Sequence, residues 1–157
     1  MRYRFLSTVI AAILAGGAAM AAPPVAPPSQ SVLRLLQDAD DAATRGDRIG
    51  AVQRYHSAMV FAPSYPDVYN RLAQFYLADD QPDMARKYFA IALDVDLVNP
   101  SALKGLALLS LAAGDIASAR ARHEVLLRAC GQGCPETAQV GQALSAAPAA
   151  SAGEESN

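Results

Sequence analysis

Three consecutive segments of this chain, Val32–Tyr65, Pro66–Asn99 and Pro100–Gly133, align without gaps, each starting 34 residues after the last. A fixed period of that length confines a chain to a repeat architecture, in which one supersecondary unit recurs and stacks on itself. The strongest column holds the small residues Ala51, Ala85 and Ala119. Four positions on come Tyr55, Phe89 and His123, and three further come Ala58, Ala92 and Leu126. In the first half of each unit Leu35, Tyr69 and Leu103 share a column, as do Ala39, Ala73 and Ala107. Apolar positions within a unit step by three and four, as in Leu72, Phe75, Tyr76 and in Ala85, Tyr88, Phe89, Ala92. That spacing marks one face of an α-helix.

Between the halves of the units lie Arg45-Gly46-Asp47, Asp79-Asp80-Gln81 and Ala113-Gly114-Asp115. A Gly-Asp pair supplies a left-handed residue to end one helix and an acceptor to start the next. In the second unit Pro82 takes the equivalent start, where the first turn tolerates a missing N–H. Each unit thus reads as a helical hairpin, near residues 32–62, 66–96 and 100–130. Alanines at the fixed columns let the two helices approach closely, and stacking of units completes the core. Pro135–Leu144 (PETAQVGQAL) reads as one more helix over 135–145, with Pro135 at its first position and Glu136 at its positive end. Ala138, Val140 or Gly141, and Leu144 are positioned to cover the last unit.

The ends of the chain have a different character. Met1-Arg2-Tyr3-Arg4 is basic, Phe5 to Ala15 is apolar, and Ala19-Met20-Ala21 has small residues at alternate positions. That order describes a cleaved secretory signal over residues 1–21. The competing reading, a retained membrane helix, needs about 20 apolar residues, and here Gly16-Gly17 interrupts the run and Pro23-Pro24 ends it. Residues 22–30 form a Pro-rich linker, 31–145 the repeat domain, and 146–157 a small, polar tail without periodicity. Net charge is -2 over the whole chain, and -4 once Arg2 and Arg4 leave with the signal. Nucleic acid is therefore not an expected partner, since its binders cluster Lys and Arg. Hydrophobic residues make up 52%, but 34 of the 157 residues are Ala and Trp is absent. Such a composition favours close-packed helices over strands.

The period, the Gly-Asp turn and the runs Ala51-Tyr55-Ala58 and Ala85-Phe89-Ala92 resemble the tetratricopeptide repeat (TPR) family. Tyr69, Leu72, Ala73 and Tyr76 match that family's first-helix pattern. The resemblance spans about 100 residues. Unit one departs from it with Asp38 where Leu72 and Leu106 sit, and unit three with Ser110 and His123 at aromatic places. It implies an all-α, right-handed superhelical stack of three hairpins plus a C-terminal capping helix. In the family, the first helices of the units line a concave groove that holds partner segments. Carried over by position, the inner surface is Leu36, Asp40, Asn70, Gln74, Leu77, Lys104, Leu108 and Leu111. The family's version that grips a terminal carboxylate with Lys and Asn is absent in unit one, where Leu36 and Asp40 stand.

Few residues invite chemistry. Cys130 and Cys134 flank Gly131-Gln132-Gly133, which in an exported chain suggests a disulfide pinning the third hairpin to the last helix. Zinc wants four ligands, and only two distant histidines, His56 and His123, remain; no metal is expected. Both histidines read as structural, each facing a helix in its own repeat. Asp38, Asp40 and Asp41 lack the Gly and terminal Glu of a calcium loop, and Asp38 and Asp41 read as solvated or as facing Arg34 and Arg45. No phosphate loop, nucleophile elbow or His-Glu-x2-His pattern occurs. The chain reads as a non-enzyme without a cofactor.

All eight aromatics beyond the signal fall between Tyr55 and Phe89, mostly in core columns. Two functions fit. One is a periplasmic or secreted adaptor that binds a peptide or partner subunit of the cell envelope in its groove, with Asp40 opposite Lys104 implying a ligand of both charge signs. The other is a structural homo-oligomer in which units stack between chains. An oxidoreductase accessory using the cysteines ranks far behind. Neither main reading leaves a membrane span in the mature chain. Sequencing of the exported protein is expected to read Ala22 first; intact Met1 on membrane-embedded material would refute cleavage.

Overall fold

The computed structural model describes residues 27–147. The expected signal (1–21), most of the linker (22–26) and most of the tail (148–157) lie outside the described residues. Seven helices follow one another: α1 (Gln30–Thr44), α2 (Arg48–Phe61), α3 (Pro66–Ala78), α4 (Pro82–Val95), α5 (Pro100–Ala112), α6 (Ile116–Cys130) and α7 (Pro135–Ala146). No strand occurs among the described residues. Nor is any helix among them long and apolar enough to cross a membrane.

Local chemistry explains the boundaries. Side chains of Ser29, Asp47, Asn99 and Asp115 accept the backbone N–H of Val32, Gly50, Ala102 and Ser118, capping α1, α2, α5 and α6. Helices α3, α4, α5 and α7 begin on Pro66, Pro82, Pro100 and Pro135. Their fixed φ suits a first turn whose N–H groups have no partner inside the helix. The turns inside the hairpins pivot on left-handed residues: Gly46 at φ 79°, Asp80 at 54° and Gly114 at 78°. Asp80 does without glycine's freedom, since a short polar side chain tolerates that region better than most.

Helices pair as α1–α2, α3–α4 and α5–α6. Across repeats α3 touches both α1 and α5, whereas α2, α4 and α6 make no backbone approach to one another. The first helices therefore form the inner layer of a curved stack, and the second helices form the wider outer one. The alanine columns sit where the layers meet: Ala39, Ala51, Ala58, Ala73, Ala85, Ala92, Ala107 and Ala119 are all fully buried. Rings fill the space beside them, with Tyr76 and Tyr88 stacked at 5.5 Å and Phe89 against Gly105. A second, smaller core joins Leu103, Ala107, Ala119, Leu126 and Val140, so that α7 closes the end of the stack.

The histidines correct one expectation, because each reaches beyond its own repeat. His56 approaches the Tyr88 hydroxyl in the next hairpin, and His123 Nε2 lies 3.2 Å from the Thr137 carbonyl of α7. Cys130 and Cys134 are joined as a disulfide between α6 and α7, with Cα atoms 5.6 Å apart. By the chain-entropy model so short a loop contributes only about 2 kcal/mol.

A Cβ at Gly105 would stand 2.4 Å from the Phe89 ring, whose Cε2 and Cζ lie against the helix. Phe89 is itself buried and has nowhere to go. Gly105→Ala should therefore cost about 1–3 kcal/mol by overpacking, as should Ala85→Leu in the middle hairpin. Thermal melting checks both; an unchanged midpoint would mean that these contacts do not hold the layers together.

Candidate functional site

The inner layer opens into a cavity of about 510 Å³ between the first and second hairpins. Helix α1 contributes Asp40, Ala43 and Thr44; α3 contributes Arg71, Gln74, Phe75 and Ala78; Arg48 and Tyr55 reach in from α2. Asp79 closes its end.

Its polar groups form two ion-paired clusters, each tying one hairpin to the next. In the first, Asp40 accepts from the Tyr55 hydroxyl at 2.5 Å and from Arg71 Nη1 at 2.5 Å. Arg71 also donates Nε–H to Asp67 at 2.8 Å, one turn earlier on α3. In the second, Arg48 and the Gln81 amide both donate to Asp79. Burial, the hydrogen bond to Asp40 and the charge of Asp40 all push the Tyr55 phenol well above its usual range. For Arg71 burial acts against the charged form, and the hydrogen bonds and charges of Asp67 and Asp40 outweigh it, raising its pKa. Both groups keep their protons at neutral pH.

The eight residues expected on the inner surface divide. Asp40 and Gln74 line the cavity, and Leu77 and Leu108 are exposed. Leu36 and Asn70 are corrections: they are 0% and 3% exposed. Their column faces the seam between neighbouring first helices rather than the open surface. In unit one Asp38 leaves the usual apolar column exposed, and α1 buries Val32, Leu36, Ala39 and Ala42. Asn70 donates its amide to Asn99 Oδ1 at 2.9 Å, an oxygen that also caps α5. Lys104, in the same column, is half-buried. Leu111 packs partly against the core beneath α7. Asp40 does not oppose Lys104; it is paired with Arg71. Asp38 and Asp41 take part in none of the ion pairs among the described residues.

Sequence reasoning passed over Arg48, Arg71, Phe75 and Asp79. The Asp67–Arg71 spacing was a visible signal for one of them; the Arg48–Asp79 pair bridges hairpins and left none. Among the described residues no three His, Cys, Asp or Glu side chains gather as a metal ion would require.

No known family profile matches this chain, and no curated protein sequence does. Solved structures do. The first TPR domain of Spaghetti (RPAP3), bound to the HSP90 peptide SRMEEVD, superposes with a TM-score of 0.62 at 18% identity, covering 76% of this chain and 99% of that one. The fold is a TPR fold. The Sgt2 TPR domain from Aspergillus fumigatus gives 0.64 at 21% identity, covering 83% and 93%. The first TPR domain of human RPAP3 gives 0.59 at 18%, covering 73% and 92%. In this TPR fold the cavity lies on the inner layer of first helices, at the junction of units one and two.

The raised phenol makes a pH prediction. Unfolded, Tyr55 ionises near its ordinary value of 10.0, while the folded phenol holds its proton to higher pH. The unfolded state thus binds fewer protons above that value, and this contribution to stability, intact below it, is lost as pH rises. Tyr55→Phe should cost about 1 kcal/mol at neutral pH. Its deficit relative to wild type should shrink as melting is followed upward from about pH 10. A deficit that stays constant with pH would show that the phenol is not held by Asp40.

Proposed function

We propose that this chain is a non-enzymatic adaptor that holds an extended segment of a partner protein along its inner layer. One observation carries the reading: the open cavity between α1 and α3 presents the Gln74 amide beside the ion-paired Asp40–Arg71 and Arg48–Asp79 clusters. Gln74 offers both a donor and an acceptor, which suits main-chain recognition, and exposed Leu77 and Leu108 give apolar contacts beside it. The peptide bound to the TPR domain of Spaghetti supports the same use of the fold. The basic, apolar and small-residue order of residues 1–21 and the cysteine pair place the adaptor, in this proposal, in the periplasm or outside the cell. Its partner is then a peptide or subunit of the cell envelope.

A second reading has its own observation. Val60 and Phe61 at the end of α2, and Leu97 and Val98 before α5, are exposed large apolar residues at the two junctions between successive hairpins. They would serve contacts between copies of the chain in a structural homo-oligomer. Sedimentation of the mature protein separates the two readings.

The decisive variant combines Gln74→Ala with Lys104→Glu; Asn70 is excluded because its amide supports the start of α5. The double change should reduce cross-linked partner capture from the periplasm at least about tenfold and leave melting within about 0.5 kcal/mol of wild type. Capture that survives would move the interface to the outer face or to self-assembly.

A further inference from the structure

The repeat supplies an internal control on the cavity. One period after Asp40, Arg71, Arg48 and Asp79 stand Gln74, Gly105, Pro82 and Ala113. None of these is charged. At that second junction the Phe89 ring lies directly against Gly105 and fills the space. At the first junction the ring column ends in the Tyr55 hydroxyl, the glycine is Arg71, and the space stays open. The fold is built without the charges at one junction, so it does not require them at the other. Nor do the Arg71 pairs with Asp40 and Asp67 add much stability, since exposed ion pairs contribute only about 0–1 kcal/mol each.

The sign of the opening follows from which valences are spent. Both oxygens of Asp40 are engaged, by Tyr55 and by Arg71. The Asp79 side chain is 11% exposed and accepts from two donors, whereas that of its partner Arg48 is 59% exposed. A guanidinium carries five N–H donors, and Arg48 spends one on Asp79. At the Arg48 end the group left facing solvent is therefore the donor-rich guanidinium, whereas Asp40 and Arg71 at the other end are exposed alike.

Directly beside it lies a second cleft of about 360 Å³, walled by Ile49, Val52, Phe75 and Tyr76 and sharing Arg48, Phe75 and Asp79 with the first. Ile49 is 74% exposed on its rim, and the repeat places Asp83 and Ala117 in that column. A large aliphatic side chain there is thus peculiar to unit one.

We infer that the first junction is a two-part recognition site for a partner segment carrying an acidic side chain and, two residues later, an aliphatic one. The carboxylate lies on the free edge of Arg48. The aliphatic side chain enters the cleft against Ile49, Val52 and Phe75. The spacing of two follows from an extended segment, whose alternate side chains point the same way, laid over two clefts with a common wall. The inference rests on the groove reading above and gives its ligand a chemistry: an internal acidic–aliphatic pair, read at Arg48 and Ile49.

The test uses the mature chain, labelled for NMR, and the pentapeptide Gly-Glu-Gly-Leu-Gly, acetylated and amidated so that no terminal charge contributes. At millimolar peptide, the Arg48 side-chain N–H and Ile49 methyl signals should shift together. Replacing Glu by Gln in the peptide, or Arg48→Gln in the protein, should weaken binding about tenfold, the scale of one charge-assisted hydrogen bond. Ile49→Ser should weaken it while abolishing any preference for Leu over Ala. Equal or tighter binding of the Lys-for-Glu peptide would overturn the assigned sign. Shifts confined to Gln74, Leu77 and Leu108 would overturn this site and leave the groove standing. Partner capture lost in Gln74→Ala/Lys104→Glu but intact in Arg48→Gln would likewise overturn the site and spare the groove. No shift anywhere, with capture also unaffected, would remove both.

Discussion

Close approach of helices across alanine is the constraint from which the rest follows. A hairpin with Ala at its contact column brings two backbones near enough that a single ring, Tyr55 or Phe89, fills what remains. Such a hairpin is too thin to bury its own outer face, so it must stack. Once three hairpins stack, the first helices crowd into an inner layer and the second helices spread. Cavities on the inner layer arise wherever the ring column does not fully close a junction. The same column that builds the core therefore decides where the surface opens.

The two junctions show how little sequence change separates structure from site. Gly105 accepts the Phe89 ring and leaves no room. Arg71, at the equivalent position, carries its bulk away to Asp40 and Asp67 and keeps the cavity open. Tyr55 takes part in both roles: its ring is core, and its hydroxyl fixes the carboxylate that orients Arg71. A periodic scaffold tolerates such a local exception because each unit contacts only its neighbours.

The helices were legible because periodicity is a local signal. Ala51, Ala85 and Ala119 announced the contact column, and Gly46 and Gly114 announced the turns. The inner surface was read less well, for a reason visible at Leu36 and Asn70. Position within a repeat fixes a helix face to about one residue, and a shift of one residue rotates a side chain by about 100°. That is enough to move Leu36 from a groove into a seam. Asp40 lines the cavity but pairs with Arg71 rather than facing Lys104, because Arg71 lies on a different hairpin, and pairings between units leave no mark on the period. Arg48 and Asp79 were hidden for the same reason.

The two ends of the stack are unequally finished. At one end α7 lies over α5 and α6, fastened by the Cys130–Cys134 bridge. At the other, no described element packs on the outer side of α1 and α2. In a one-dimensional array, opening proceeds from whichever end is cheapest to detach. Here that end is the first hairpin, and the charged cleft spans the joint by which it detaches. A segment bound across α1 and α3 would act as a missing fastener, slowing amide exchange throughout α1 and α2 and not only where it touches. Recognition and order in this protein would then be a single equilibrium, with the free chain breathing at the very joint that its partner closes.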